Sequence, residues 1–159
     1  MVEESSNNPS KLKRTVITTA DGSSTIHFPE WNEQYHSKHG AIQEAQHVFL
    51  KMGLDYVYTN QPKIENISIL EMGFGTGLNC LLTLFEAERL HKKINYIGVE
   101  AYPVDNDLIS KLNYAEALSE EKSQERFKKI HSISWEMSHP ISSYFNLTKR
   151  QQFFENIED

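Results

Sequence analysis

One cysteine, Cys80, is all that this chain of 159 residues holds. An internal disulfide is excluded, and so is a cysteine-rich zinc site. Apolar residues are also scarce, at 38% with tyrosine counted, against about 45–50% in ordinary globular domains. Either the surface is large or the core is incomplete. No stretch approaches the roughly twenty consecutive apolar residues of a membrane span, and the opening Met1-Val2-Glu3-Glu4-Ser5-Ser6-Asn7 is too acidic and polar for a secretion signal. The expectation is a cytoplasmic chain with no membrane partner. Positive charge is short as well. A net charge of -6 argues against broad, sequence-blind nucleic-acid binding, which rests on neutralising phosphates. Only local clusters remain, at Lys11, Lys13 and Arg14, at Arg126, Lys128 and Lys129, and at Lys149 and Arg150, and each reads first as a solvated face or tail. The seven histidines include no H-E-x-x-H and no pairing with cysteine, so no metal site is expected. No serine stands in a G-x-S-x-G elbow.

What the sequence does have is the stretch Ile67-Ser68-Ile69-Leu70-Glu71-Met72-Gly73-Phe74-Gly75-Thr76-Gly77-Leu78-Asn79. A β-rich apolar run leads into three alternating glycines, and from Leu78 the apolar residues Leu81, Leu82 and Phe85 recur at helical spacing. Strand, glycine loop and helix start make a cradle in which a ligand approaches the backbone and meets unpaired helix N–H groups. The spacing G-x-G-x-G is one residue short of the dinucleotide fingerprint G-x-G-x-x-G, and no Lys-Ser/Thr follows as in a phosphate loop. A second acid, Glu100, closes the next apolar run Ile94-Asn95-Tyr96-Ile97-Gly98-Val99, the position at which nucleotide folds hold ribose hydroxyls. The ligand that fits carries a ribose and little phosphate. S-adenosylmethionine meets that description, with its ribose on Glu100, its carboxylate on loop N–H groups and its ammonium on Glu71 or a nearby carbonyl.

Around this stretch, residues 1–13 read as a mobile polar tail and 14–159 as one domain. Two β-rich runs flank Asp21-Gly22, the signal of a hairpin. Pro29 to Gly40 reads as an ordered loop. A helix is expected over Ala41 to Leu50, with Ile42, Ala45, Val48 and Phe49 on its inner face and Glu44 beside them, and a further turn or two over Met52 to Thr59. Past the βαβ unit, whose strands should be parallel, come a helix through Leu108 to Leu118, a charged helix over Glu120 to Ile130 and a loop at Trp135 to Pro140. A third strand at Tyr144 to Thr148 and a closing helix at Gln151 to Ile157, with Phe153 and Phe154 inward, complete the pattern.

His36-Ser37-x-x-Gly40-Ala41-x-x-Glu44-x-x-x-Val48-Phe49-Leu50, then Glu71-x-Gly73-Phe74-Gly75-Thr76-Gly77-Leu78-Asn79, then Glu100-Ala101-Tyr102-Pro103, together resemble the MnmC-like methyltransferases. Those are class I, S-adenosylmethionine-dependent enzymes that complete 5-methylaminomethyl-2-thiouridine at the tRNA wobble position, alone or fused to a flavin-dependent oxidoreductase. The resemblance spans residues 28–150. It implies an α/β fold, a Rossmann-like class I sheet with helices on both faces, here preceded by the hairpin. It also implies tRNA as partner, with an oxidoreductase partner for the preceding step. By matched position Glu71, Gly73, Phe74, Gly75, Gly77, Leu78 and Asn79 would line the methionine end of the cofactor and Glu100 would hold the ribose. Glu44 and its helix would cover the pocket. The family's acidic-aromatic motif Asp-x-Phe-x-Pro would lie beyond Asp159, so no catalytic residue is assigned, and the expectation is an N-terminal cofactor-binding half whose C-terminal strands are missing. A methyltransferase of another acceptor class, a non-catalytic nucleotide-binding or interaction module and a dehydrogenase are the other readings of the cofactor motif.

Overall fold

In the computed structural model, residues 13–157 are described; the tail expected over 1–13 lies outside them except at Lys13. An antiparallel sheet comes first, in the order β1-β2-β3, with β1 at Thr15–Thr18, β2 at Ser24–Phe28 and β3 at Glu33–Gln34. The hairpin expected around Asp21-Gly22 forms, with Thr18 opposite Ser24. Strand β3 falls where an ordered loop was expected. A tight turn makes it possible: Trp31 N–H donates to Phe28 O and Asn32 N–H to Pro29 O, with Asn32 at φ 50, a left-handed position that asparagine tolerates.

Ala41 to Asn60 is helical throughout, as α1 (Ala41–Glu44), a π-helical segment (Ala45–Leu54) and α2 (Asp55–Asn60). The hairpin turn caps its start. Ala41 N–H donates to Thr19 Oγ1, Ile42 N–H to Ser23 Oγ and Gln43 N–H to Asp21 Oδ2, so three N–H groups without intrahelical carbonyls find partners. Val48 does not turn inward as its spacing suggested; it is 59% exposed. The wider i→i+5 winding takes the segment out of the 3.6-residue register on which the expectation rested.

The second sheet runs β4-β5-β7-β6: β4 (Asn66–Met72), β5 (Lys93–Val99) and β7 (Phe145–Arg150) are parallel, and β6 (Ser138–Ser142) is antiparallel at the edge. Helix α3 (Leu78–Leu90) makes the expected crossover between β4 and β5. Then follow α4 (Asn106–Ile109), α5 (Tyr114–Leu118) and α6 (Ser123–Ser132). The helix expected through Leu108 to Leu118 is thus two short ones. Strand β6 replaces part of the expected loop; Pro140, which speaks against a central strand, is tolerated in an edge strand. The closing helix is only a 3-10 turn, Phe154–Asn156, and Phe153 and Phe154 are each 47% exposed rather than inward.

Register fixes which side chains share a face. Cross-strand rows Ile67-Ile94-Phe145, Ile69-Tyr96-Leu147 and Glu71-Gly98-Lys149 point to the side covered by α3 and α6, while Ser68, Leu70, Met72, Asn95, Asn146 and Arg150 on the opposite side are exposed. Helices α3 and α6 thus cover the first of these sides. The opposite side is mixed in character: Ser68, Asn95 and Asn146 are polar, whereas Leu70 and Met72 are apolar and about half exposed, at 51% and 49%, and Val99 is buried. Tyr96, Leu78, Leu81, Leu84, Phe145 and Leu147, all buried, form the centre of the core. No described helix is long and apolar enough to cross a membrane.

Candidate functional site

The chain leaves β4 at Met72 and reaches α3 through Gly73, Gly75 and Gly77, all at positive φ (89, 51 and 73). At two of these a side chain would also crowd its neighbours. A Cβ on Gly75 would lie 2.7 Å from Tyr35 Cδ1, and one on Gly77 3.1 Å from His131 Nε2. The loop consumes several of its own N–H groups. Those of Gly73 and Phe74 both donate to Val99 O, that of Gly77 to Phe74 O, and that of Gly75 to Glu100 Oε2 (3.0 Å). What is left for a ligand is the start of α3, whose first N–H groups have no intrahelical carbonyl.

Above the loop opens a cavity of about 410 Å³, within the range of small-molecule sites. Of the residues expected from sequence, Glu44, Glu71, Gly73, Phe74, Gly75, Leu78 and Asn79 line it; Gly77 and Glu100 do not. Phe74 contributes little beyond backbone. Its ring is buried, stacked edge-on to His131 and Trp135, and fills the space over Gly98, where a Cβ would stand 2.3 Å from Phe74 Cδ2. Tyr35, His36 and Thr76 also line the cavity; His36 and Thr76 stand in the motif strings quoted above without having been assigned to the site, and Tyr35 was not singled out.

Glu71 is the main electrostatic feature. It is 6% exposed, Oε1 accepts from Asn79 Nδ2 (2.9 Å) and Oε2 from the Tyr96 hydroxyl (2.8 Å). Neither donor is charged. Burial, which outweighs those two hydrogen bonds, and the nearby Glu100 carboxylate push its pKa up to about 7. Lys149 lies in the same cross-strand row, two strands away beyond Gly98, but it does not pair with Glu71. Its ammonium donates to His131 O (3.1 Å) and sits 5.0 Å from the Trp135 ring centroid, and burial brings its pKa down to about 8. The reading of Lys149 as a solvated charge is overturned by this burial, at 2% exposed. Arg126 and Lys129 reach the Ile141 carbonyl and Arg126 also pairs with Glu88 (2.8 Å), so these cations serve the fold.

At the rim, Glu44 Oε2 accepts from Ser37 N–H (2.7 Å) and lies 3.9 Å from His36 Nδ1. His36 Nε2 is 3.1 Å from Thr76 Oγ1, which also accepts from the Tyr114 hydroxyl (3.1 Å). Burial holds His36 below its usual value against the pull of Glu44. His131, brought down to about 4 by burial and by Lys149, is neutral at pH 7, and its Nε2 lies 3.2 Å from Thr76 O. The loop is thereby held from both sides by uncharged histidines.

Glu100 stands at the tip of β5. Its two oxygens accept from Gly75 N–H and from Tyr102 N–H (3.0 Å each). It thus joins a residue of the first cavity to one of a second, of about 550 Å³, lined by Arg14, Ala101, Tyr102, Pro103, Asp105, Leu108, Trp135 and Gln151. A carboxylate has about four lone-pair sites, so each oxygen keeps room for another donor. Among the described residues, no cluster of His, Cys, Asp or Glu is arranged to hold a metal ion.

No family model matches the chain. Curated relatives do. The tRNA 5-methylaminomethyl-2-thiouridine biosynthesis bifunctional protein MnmC of Leptospira interrogans is 32% identical over 129 residues, 79% of this chain and 18% of that protein. The MnmC of Magnetococcus marinus is 35% identical over 104 residues, 61% of this chain and 15% of that protein. The chain thus resembles MnmC proteins over part of their length. The solved structure of MnmC2 from Aquifex aeolicus superposes with a TM-score of 0.70 at 23% identity, over 96% of this chain and 48% of that one; it shows the same α/β fold. The chain spans less than a fifth of the curated relatives it matches, from 13% to 18%, and about half of the solved one, 48%.

Proposed function

We propose that this chain is the S-adenosylmethionine-binding part of a methyltransferase acting on the aminomethyl group of the tRNA wobble uridine. One observation carries the cofactor assignment: a buried carboxyl, Glu71, at the wall of the cavity above a glycine loop, hydrogen-bonded on both oxygens and, among the described residues, paired with no cation. A ligand ammonium is the partner it lacks. The relatives' names support the tRNA substrate, and with the resemblance in sequence they support cytoplasmic localisation and an oxidoreductase partner for the preceding step.

S-adenosylmethionine, when bound, supplies an electrophilic methyl group on its sulfonium. Glu71 would hold the cofactor's ammonium and the N–H groups at the start of α3 its carboxylate. Glu100 would accept the ribose hydroxyls on the lone pairs left by Gly75 and Tyr102. The second cavity, beyond Glu100, would take the adenine. Glu44 and His36 form the rim of the first cavity. Methyl transfer to a neutral amine displaces charge rather than creating it, so fixed alignment of the two reactants supplies much of the acceleration.

Calorimetric titration of the chain with S-adenosylmethionine, in parallel with NAD and with a Glu100→Ala variant, tests this reading. The expected result is binding of S-adenosylmethionine, weakened in the variant, with none of NAD. A folded chain that binds neither ligand refutes the cofactor assignment, and preference for NAD establishes a dehydrogenase instead. A methyl-transfer assay on undermodified tRNA then tests the acceptor.

A further inference from the structure

A row of three aromatic rings runs from the glycine loop to solvent. Tyr35, pressed against Gly75, stacks on Phe28 (5.5 Å between centroids, 21° between planes), and Phe28 stacks on Trp31 (5.8 Å, 29°). The Arg14 guanidinium lies 5.5 Å from the Phe28 centroid and donates to Tyr102 O and Pro103 O. The inner end of this row belongs to the candidate cofactor cavity. Its outer end, Trp31, is 42% exposed, although burying an indole is among the larger apolar gains available to a fold. The turn described above, with Asn32 at φ 50, folds the indole back so that one face meets Phe28. Two exposed lysines adjoin the turn: the Lys13 N–H donates to the Glu30 carboxylate and the Lys38 ammonium to Asn32 Oδ1. Glu30 and Glu33 are the acids on the same segment.

We propose that the outer face of Trp31 is a stacking platform for an unpaired nucleobase of the RNA acceptor, next to the base that enters the cavity. This inference rests on the reading of the chain as a tRNA-modifying methyltransferase and adds a contact to it. Stacking suits a surface on a chain of net charge -6, because a base is attracted through its π face and does not need a broad cationic groove. Lys13 and Lys38 then provide local charge for the flanking phosphates, against Glu30 and Glu33. Trp31 and Tyr35 both belong to the Pro29 to Gly40 segment that the sequence reads only as an ordered loop, and the ring row gives that segment a direction, from solvent to the glycine loop.

The test uses the full chain and a fluorescein-labelled RNA hairpin with a single-stranded loop, followed by anisotropy, while S-adenosylmethionine binding is measured separately by calorimetry. Trp31→Ala should weaken RNA binding roughly tenfold to a hundredfold, Trp31→Phe should retain most of it, and both should bind S-adenosylmethionine as the parent does. RNA should quench the part of the tryptophan emission that Trp31→Phe removes, and a blunt duplex without the loop should bind less well. Equal RNA affinity of the parent and Trp31→Ala overturns the platform, as does failure of a cofactor-binding chain to bind RNA; the cofactor assignment survives both. RNA binding that depends on Trp31 in a chain blind to S-adenosylmethionine supports the platform and refutes the cofactor assignment. Equal loss in Trp31→Phe and Trp31→Ala overturns the proposal, because the phenyl ring keeps a stacking face.

Discussion

Replacing Glu71 with glutamine should stabilise the chain and weaken its cofactor site. The side chain keeps its shape: the amide oxygen accepts from Asn79 and the amide N–H₂ faces the Tyr96 oxygen, the two partners that the carboxyl has now. What changes is the charge. The folded chain holds the carboxyl at about 7 against a model-compound value of 4.5, so between those two pH values the folded state binds more protons than the unfolded one. Stability from the protonated form is complete below pH 4.5 and is lost as pH rises through about 7. At about 1.4 kcal/mol per unit, the ionised carboxylate costs roughly 3 kcal/mol above pH 7. Urea unfolding at a series of pH values should therefore find Glu71→Gln equal to the parent near pH 4 and about 3 kcal/mol more stable near pH 8. The same carboxylate is what a ligand ammonium would use. Affinity for S-adenosylmethionine should drop roughly tenfold to a hundredfold in the variant, as for loss of a charged hydrogen bond. In the parent, binding at pH 7 should release about half a proton, readable by calorimetry in buffers of different ionisation enthalpy. Parallel stability curves for the two proteins from pH 4 to 8 would refute the buried, unpaired carboxylate. Undiminished binding by the variant would remove Glu71 from the site.

Gly98→Ala should cost about 3 kcal/mol, because its Cβ would stand 2.3 Å from Phe74 Cδ2; pairing it with Phe74→Leu should cost less than the sum of the single changes, and additive losses in urea unfolding would show that the two do not share that space. Lys149→Met should raise stability at pH 7 by about 1–2 kcal/mol. The parent lysine titrates at about 8 when folded against 10.5 as a model compound, so the unfolded state holds more protons in that window and parental stability rises through it. A flat parental curve there contradicts the burial argument. Asp21→Asn should loosen the contact between hairpin turn and α1 by about 1 kcal/mol. Burial pushes that carboxyl up, but hydrogen bonds from Ser23, Gln43 and Thr19 together hold it at about 2 against 3.8. Stability from those bonds is present above pH 3.8 and is lost as pH falls towards 2; acid unfolding that is identical in the parent and Asp21→Asn would exclude this role.

The parts of the site that were legible in the sequence are those fixed by local backbone chemistry. Alternating glycines after an apolar run place a strand-to-helix turn wherever they occur, and an acid at the end of the next strand falls beside that turn because parallel neighbours stay in register. Glu71, the loop and Glu100 followed from these rules alone. Side chains that meet through long-range contact left no such trace. Tyr96 reads as one more residue in an apolar strand until the pairing of β4 with β5 puts its hydroxyl on Glu71, and Phe74 reads as a ligand contact until Gly98, opposite it in space, proves to be the gap it fills. The π-helical winding defeated the 3.6-residue period at Val48, and the edge position of β6 lets Pro140 stand in a strand where part of a loop was expected. Lys149 is the clearest case. On paper it belongs with Arg150 as a surface cation, but alternation along β7 sends Arg150 outward and Lys149 in. It then occupies the row of Glu71 without neutralising it, because the Phe74 ring claims the place between them. That row leaves a carboxyl facing the cavity with no cation partner among the described residues, which a purely structural glycine turn has no reason to maintain, and this is why the Glu71→Gln experiment bears on function as well as on stability.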